Sequence, residues 1–167
     1  MVEVGILGPD DRVELLAGEI VEMSPEKSRH AAAVDLALEA VRRVFGAGYT
    51  IRVQHPLALS EDSEPEPDIA VVVGSPRDYV QGHPASALLV IEVADSSLEY
   101  DRRRKAQVYS QAGIGEYWIS NLVDMRLEVH RQPSPTGYLT QFALGREGVI
   151  APLAAPAATV AVEDLLP

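Results

Sequence analysis

Two acids and a lysine stand where chemistry can be done. Asp68 opens the apolar run Ile69-Ala70-Val71-Val72-Val73, and Glu92 interrupts a second one, Leu88-Leu89-Val90-Ile91-Glu92-Val93. If these runs are neighbouring antiparallel strands, the start of the first lies beside the end of the second, and both carboxylates share one sheet edge. Lys105 falls about one turn inside the helix that follows, within reach of both. Two carboxylates with room for water suit Mg²⁺ or Mn²⁺, hard ions that keep water and take few protein ligands. A lysine beside them would orient or help deprotonate the attacking water and offset developing charge. The expected chemistry is metal-assisted hydrolysis of phosphodiester bonds, with Asp68, Glu92 and Lys105 as catalytic residues and Asp68 and Glu92 as metal ligands.

Each of these residues also has a plainer reading. Asp68 can cap a strand start, and Asp101 and Lys105, four apart, can form an ordinary helix-surface pair. Asp101 is favoured as the helix N-terminal cap over a catalytic role. Glu92 is harder to set aside, because an unpaired charge inside an apolar strand is costly to bury. Tyr117-Trp118 could stack on bases. Neighbouring strand residues face opposite sides, however, so core packing is favoured for at least one of them.

The elements that must position these groups follow from pattern. Val13 to Met23 reads as a hairpin broken at Ala17-Gly18, with Ser24-Pro25 stopping its second strand. Ser28 to Phe45 keeps helical spacing and carries Arg42-Arg43 near its end. Tyr49 to Val53 and Pro56 to Leu59 read as short strands, and the acidic, proline-marked stretch Ser60 to Pro67 as a surface loop. The continuous apolar runs 69–73 and 87–91 are expected in strands covered on both faces, so helices must pack on both sides. A second helix, Asp101 to Ala112, stops at Gly113 and leads to a strand at Glu116 to Ser120, forming a strand-helix-strand crossover. Met125 to Arg131 alternates as a half-buried strand paired back on Glu116 to Ser120. The tail from Gly148 is rich in Ala and Pro.

Composition narrows the chemistry. The chain has 167 residues, 47% hydrophobic and 23% charged, and no cysteine. It is expected to form one domain over residues 1–167. Disulfides, thiolate nucleophiles and cysteine-held zinc are excluded. Met1 to Asp11 has no basic segment leading into an apolar stretch, and no apolar run is long enough to span a membrane. A soluble, cytoplasmic protein is expected. Fourteen Lys and Arg against 25 Asp and Glu give a net charge of -11. That charge repels polyphosphate unless basic groups gather locally.

Glu66-Pro67-Asp68-Ile69-Ala70-Val71-Val72, Ile91-Glu92-Val93, Asp101 through Lys105, Tyr109 to Gly113 and Glu116-Tyr117-Trp118-Ile119 together resemble the Uma-two family of restriction endonucleases. The upstream Gly18-Glu19-Ile20-Val21-Glu22-Met23-Ser24-Pro25 and His30 match its opening pattern. The resemblance covers roughly residues 13 to 130. It implies the PD-(D/E)xK nuclease superfamily and a restriction-endonuclease-like α/β fold, a three- or four-stranded mixed sheet flanked by helices. It also implies Asp68 and Glu92 as metal ligands. The superfamily's lysine stands two residues after the second acid, where this chain has Ala94; the resemblance passes its role to Lys105. A second departure is Ala94-Asp95-Ser96-Ser97, where a leucine followed by serine and proline is more usual. His30 and Glu39, on the first helix, could each add a ligand or a proton-transfer group, as could Asp101.

Three functions compete. The first is a metal-dependent endonuclease acting on nucleic acid, expected to be DNA, as a homodimer. The second is a nuclease fold kept as a binding or assembly module, with catalysis weak or lost and a dimer as the working unit. The third is hydrolysis of a smaller phosphate ester. A DNA enzyme should gather Arg102, Arg103, Arg104 and some of Arg29, Arg42 and Arg43 near the cleft.

Overall fold

The computed structural model describes residues 12–23 and 27–167. The expectations placed on Met1 to Asp11 and on Ser24-Pro25 lie outside the described residues. The hairpin is β1 (Val13–Leu16) and β2 (Glu19–Glu22), turning through Ala17 and Gly18, both at positive φ (49° and 80°). That geometry matches the right-handed twist of the flanking strands. Helix α1 (Ser28–Val44) follows, then β3 (Tyr49–Val53), β4 (Ile69–Val73) and β5 (Leu89–Ala94). The second helical segment, α2, joins a turn at Leu98–Tyr100, a π-helical stretch at Asp101–Lys105 and α-helix at Ala106–Gln111. Gly113, at φ 75°, ends it. Strands β6 (Glu116–Asn121), β7 (Arg126–Ser134) and β8 (Gly137–Gly145) complete the main sheet, and β9 (Val149–Ile150) pairs with β10 (Val160–Ala161) near the C-terminus.

The fold is a mixed α+β architecture built on a six-stranded sheet in the order β3-β4-β5-β6-β7-β8. Only β5 and β6 run parallel, as a crossover through α2 requires. The sheet is wider than the three or four strands expected. The edge strand β8 is not among the strands expected from sequence; Pro133, near the end of β7, pairs with Tyr138 of β8, and Pro135 lies in the turn between them. Pro56–Leu59 forms no strand. Gln54 turns the chain at φ 50°, and the Leu57 and Ala58 N–H groups donate to Pro65 and Pro84 carbonyls, away from any ladder. Among the described residues no helix is long and apolar enough to cross a membrane.

Strand alternation sorts the core into two layers. Ile69, Val71, Leu89, Ile91, Val93 and Trp118 face α1 and pack on Ala33, Val34, Ala37 and Val41. Ala70, Val72, Val90, Ala94, Tyr117 and Ile119 face α2 and pack on Ala106 and Tyr109. Tyr117 and Trp118 are both fully buried, so neither is a stacking platform for bases.

An ion pair ties α2 to β7. Arg102 grips Glu128 of β7 through two hydrogen bonds, Nε to Oε2 at 2.9 Å and Nη2 to Oε1 at 2.6 Å. The Asn121 amide and Arg126 also donate to Glu128. Burial pushes the Glu128 carboxyl up, but these donors outweigh it and hold it down at about 2, from 4.5. A depressed carboxyl stabilises the fold above its unfolded value and loses that contribution as pH falls through its folded value. Glu128→Gln should cost about 1.5–3 kcal/mol at neutral pH, the range for hydrogen bonds to charged groups. Thermal unfolding should show the deficit shrinking as pH drops from 4.5 towards 2; a pH-independent deficit would contradict this.

Candidate active site

The register brings the two acids together. Ile69 pairs with Ile91 and Ala70 with Val90. One step further, Asp68 stands opposite Glu92, and by parity both point to the face covered by α2. The π-helical stretch of α2 turns Asp101 and Lys105 toward the same face; such turns recur at functional sites. Glu14 arrives from β1, where it shares the inward face with Leu16. These residues are almost entirely buried, with exposures of 5% for Glu14, 8% for Asp68, 3% for Glu92, 2% for Asp101 and 7% for Lys105. All five line a cavity of about 690 Å³.

Their contacts are specific. The Lys105 ammonium donates to Glu92 Oε1 at 2.9 Å and lies 3.5 Å from Glu14 Oε2. The Tyr109 hydroxyl donates to the same Glu92 Oε1 at 2.6 Å. Glu92 Oε2 receives only the long contact from the Asp68 backbone N–H, at 3.4 Å. On Asp68, Oδ2 accepts the Val93 N–H at 2.8 Å and lies 3.1 Å from His30 Nε2, while Oδ1 takes a 3.4 Å contact from Gln54. Each acid therefore has one oxygen firmly held and one weakly held.

Charge explains the protonation pattern. Burial drives the Glu92 carboxyl up to about 8 against the pull of Lys105, with Asp68, Asp101 and Glu14 adding to the rise. Burial likewise raises Asp101 to about 6, although Lys105 and the Ser97 hydroxyl, at 2.5 Å, oppose it. Burial also raises Asp68, but His30, the Val93 N–H and Lys105 more than cancel it and hold Asp68 below the ordinary range. Burial lowers the Lys105 ammonium, and Glu92, Glu14 and Asp101 overcome it, so the net displacement is upward.

Other sequence candidates are placed differently. Asp101 is not a cap: the helix begins at Leu98 with Ser97 in the cap position, and Asp101 is buried in the first turns, accepting from Ser97. His30 lines the cavity beside Asp68. Glu39 does not reach the site; its side chain is 67% exposed and paired with Arg43. The arginines expected around the cleft do not line it. Arg102 is tied to Glu128, Arg103 to Glu99, Arg104 to Glu19, Arg29 to Asp95 and Arg43 to Asp164. The lining cations are Arg12, Lys27 and Lys105, and Arg12 stands close enough to Glu66 to favour its ionised form. Sequence reasoning missed Glu14 and the Tyr109 contact. The signals were present: Glu14 alternates with Leu16, and Tyr109 is four residues beyond Lys105 on one helix face.

Whether the acids suit a divalent ion is decided by the donor set. Among the described residues no group of three or more His, Cys, Asp and Glu is placed to hold a metal ion. Asp68 and Glu92 still offer two adjacent carboxylates, each with a weakly held oxygen, beside a cavity with room for water. That meets the needs of Mg²⁺, which takes one or two carboxylates and keeps several waters. A carboxyl raised on folding stabilises the fold below its unfolded value, 4.5, and loses that contribution as pH rises through about 8. With a chelator present, the fold of the wild-type chain should therefore weaken over this interval, and Glu92→Gln, which cannot ionise, should weaken less. Identical pH profiles in thermal unfolding would contradict the burial account.

Comparison with known proteins gives the fold and the family. A crystal structure described as "a putative nuclease belonging to DUF820" from Anabaena variabilis superposes with a TM-score of 0.75 at 16% identity, over 98% of this chain and 94% of that one. At that identity the likeness speaks for the fold. No curated protein matches the chain. The family model described as "Putative restriction endonuclease" matches residues 3–163. The chain therefore belongs to that family, Uma2.

Proposed function

We propose that the chain is a Mg²⁺- or Mn²⁺-dependent endonuclease that hydrolyses nucleic-acid phosphodiester bonds at Asp68, Glu92 and Lys105. The observation that carries this reading is the excess of buried negative charge: four carboxylates, Glu14, Asp68, Glu92 and Asp101, surround one ammonium. Such an excess in a low-dielectric site calls for either protons or a cation. Asp68 and Glu92 would hold the ion. When bound, it supplies positive charge against the phosphate and acidifies water. Lys105, kept protonated by its carboxylates, serves as a hydrogen-bond donor to developing charge rather than as a base. His30 Nε2 donates to ionised Asp68 and fixes its orientation. Tyr109 does the same for Glu92.

The substrate is expected to be DNA and the working unit a homodimer. Arg12 and Lys27, which line the cavity, are the groups that would meet backbone phosphates, which answers in part the objection raised by the chain's net charge. One observation favours the binding or assembly module instead: Arg102, Arg103, Arg104 and Arg29 are all neutralised by carboxylates rather than turned to the cavity.

The test is cleavage of supercoiled, linear and single-stranded DNA at low salt with Mg²⁺ or Mn²⁺. Cleavage should vanish with chelator and fall at least about 100-fold in each of Asp68→Ala, Glu92→Ala and Lys105→Ala, the scale for loss of one charge-stabilising group. Equal inertness of wild type and variants would sink the enzyme reading and leave the module.

A further inference from the structure

We infer that Glu14 is a positioning residue of this site: it shares the Lys105 ammonium with Glu92, and so sets how strongly that ammonium competes with a divalent ion for Glu92. The inference rests on the metal-site reading above and extends it to a residue on the N-terminal hairpin.

Glu14 is a charged side chain on the buried face of a strand of four residues, between Val13 and Leu15 and in line with Leu16. Burying it uncompensated would be costly. Two partners compensate it: the Glu66 backbone N–H donates to Oε2 at 3.3 Å, and Lys105 Nζ stands 3.5 Å from the same oxygen. The ammonium is therefore shared, with the shorter contact to Glu92 Oε1 at 2.9 Å. With all three groups more than nine-tenths buried each pull is stronger than in water, and the ammonium's position is the balance of the two. Without the charge of Glu14 the ammonium is committed to Glu92, which leaves that carboxylate less available to a second cation.

The hairpin that delivers Glu14 is anchored firmly enough for this. Leu15 and Glu64 exchange backbone hydrogen bonds at 3.4 and 2.7 Å, and the Gly18 N–H donates to the Asp62 carbonyl at 2.8 Å. The Ala17 N–H donates to Ser63 Oγ at 2.9 Å. On the helix side, Arg104 pairs with Glu19 at 2.9 Å and donates to the Leu16 carbonyl at 3.3 Å. Glu14 is thus held on a strand tied both to the loop before Asp68 and to the helix that carries Lys105.

The experiment is a double-mutant cycle read by calorimetric Mn²⁺ binding, without substrate, on wild type, Glu14→Gln, Lys105→Met and the double variant. Glu14→Gln should weaken Mn²⁺ binding about tenfold, the lower end for groups that orient a ligand. With Lys105→Met already present, the same change should cost less than about twofold, because the two residues act as one unit. A purely structural Glu14 would leave Mn²⁺ affinity unchanged in protein that still folds, and that result overturns the inference alone. Equal losses in both backgrounds would make Glu14 a ligand or a distant charge and also overturn it. A wild-type chain that binds no Mn²⁺ overturns the metal-site reading itself. Thermal unfolding checks each variant; should Glu14→Gln fail to fold, Glu14→Asp, which keeps the charge but shortens its reach, enters the same cycle with the same expected loss of coupling.

Discussion

The Lys105 ammonium shares one cavity with the carboxylates of Glu14, Asp68, Glu92 and Asp101, all more than nine-tenths buried. A single positive charge cannot neutralise four negative ones, and the low dielectric makes each uncompensated charge expensive. The protein divides the burden unequally. Asp68, supplied with donors by His30 and the Val93 backbone, stays ionised, while burial drives Glu92 and Asp101 toward their protonated forms. A core that needed only packing would have filled these positions with apolar side chains of similar size at no loss of stability. Keeping this arrangement makes sense when a cation is to be admitted.

The rest of the structure serves that arrangement. The antiparallel pairing of β4 and β5 sets Asp68 across from Glu92, and a slip of one residue would send Asp68 to the opposite face from Glu92. The parallel step from β5 to β6 requires a crossover helix, which is why α2 covers the face on which both acids stand. The π-helical stretch aims Asp101 and Lys105 inward, and the bidentate grip of Arg102 on Glu128 fixes that helix against β7. The same grip turns an arginine away from the cavity, so the basic run 102–105 gives Arg102 to anchoring the helix.

Much of this was legible in the residues. The apolar runs around Asp68 and Glu92, the hairpin break at Ala17-Gly18 and the helix stop at Gly113 each follow from local chemistry, and the structure places them accordingly. What escaped is non-local. Glu14 sits more than fifty residues from Asp68 in the chain, and only the docking of the hairpin on the segment 62–66 brings it to Lys105. The partners of Arg102 and Arg104 were equally unreadable, because Glu128 and Glu19 come from β7 and β2. Asp101 was misplaced as a cap because a π-helical turn lets the helix begin three residues earlier at Leu98 while still turning Asp101 inward. The strand at 137–145 lies behind Pro133 and Pro135, which stand at the end of β7 and in the turn before it.

The central claim is that Asp68 and Glu92 together admit a divalent cation. Crystals soaked in Mn²⁺ and measured for anomalous scattering test it most directly. The account predicts a peak in contact with both the Asp68 and Glu92 carboxylates, absent in Asp68→Ala crystals treated in the same way. A cavity without anomalous density under saturating Mn²⁺, or a peak that survives loss of Asp68, would contradict it.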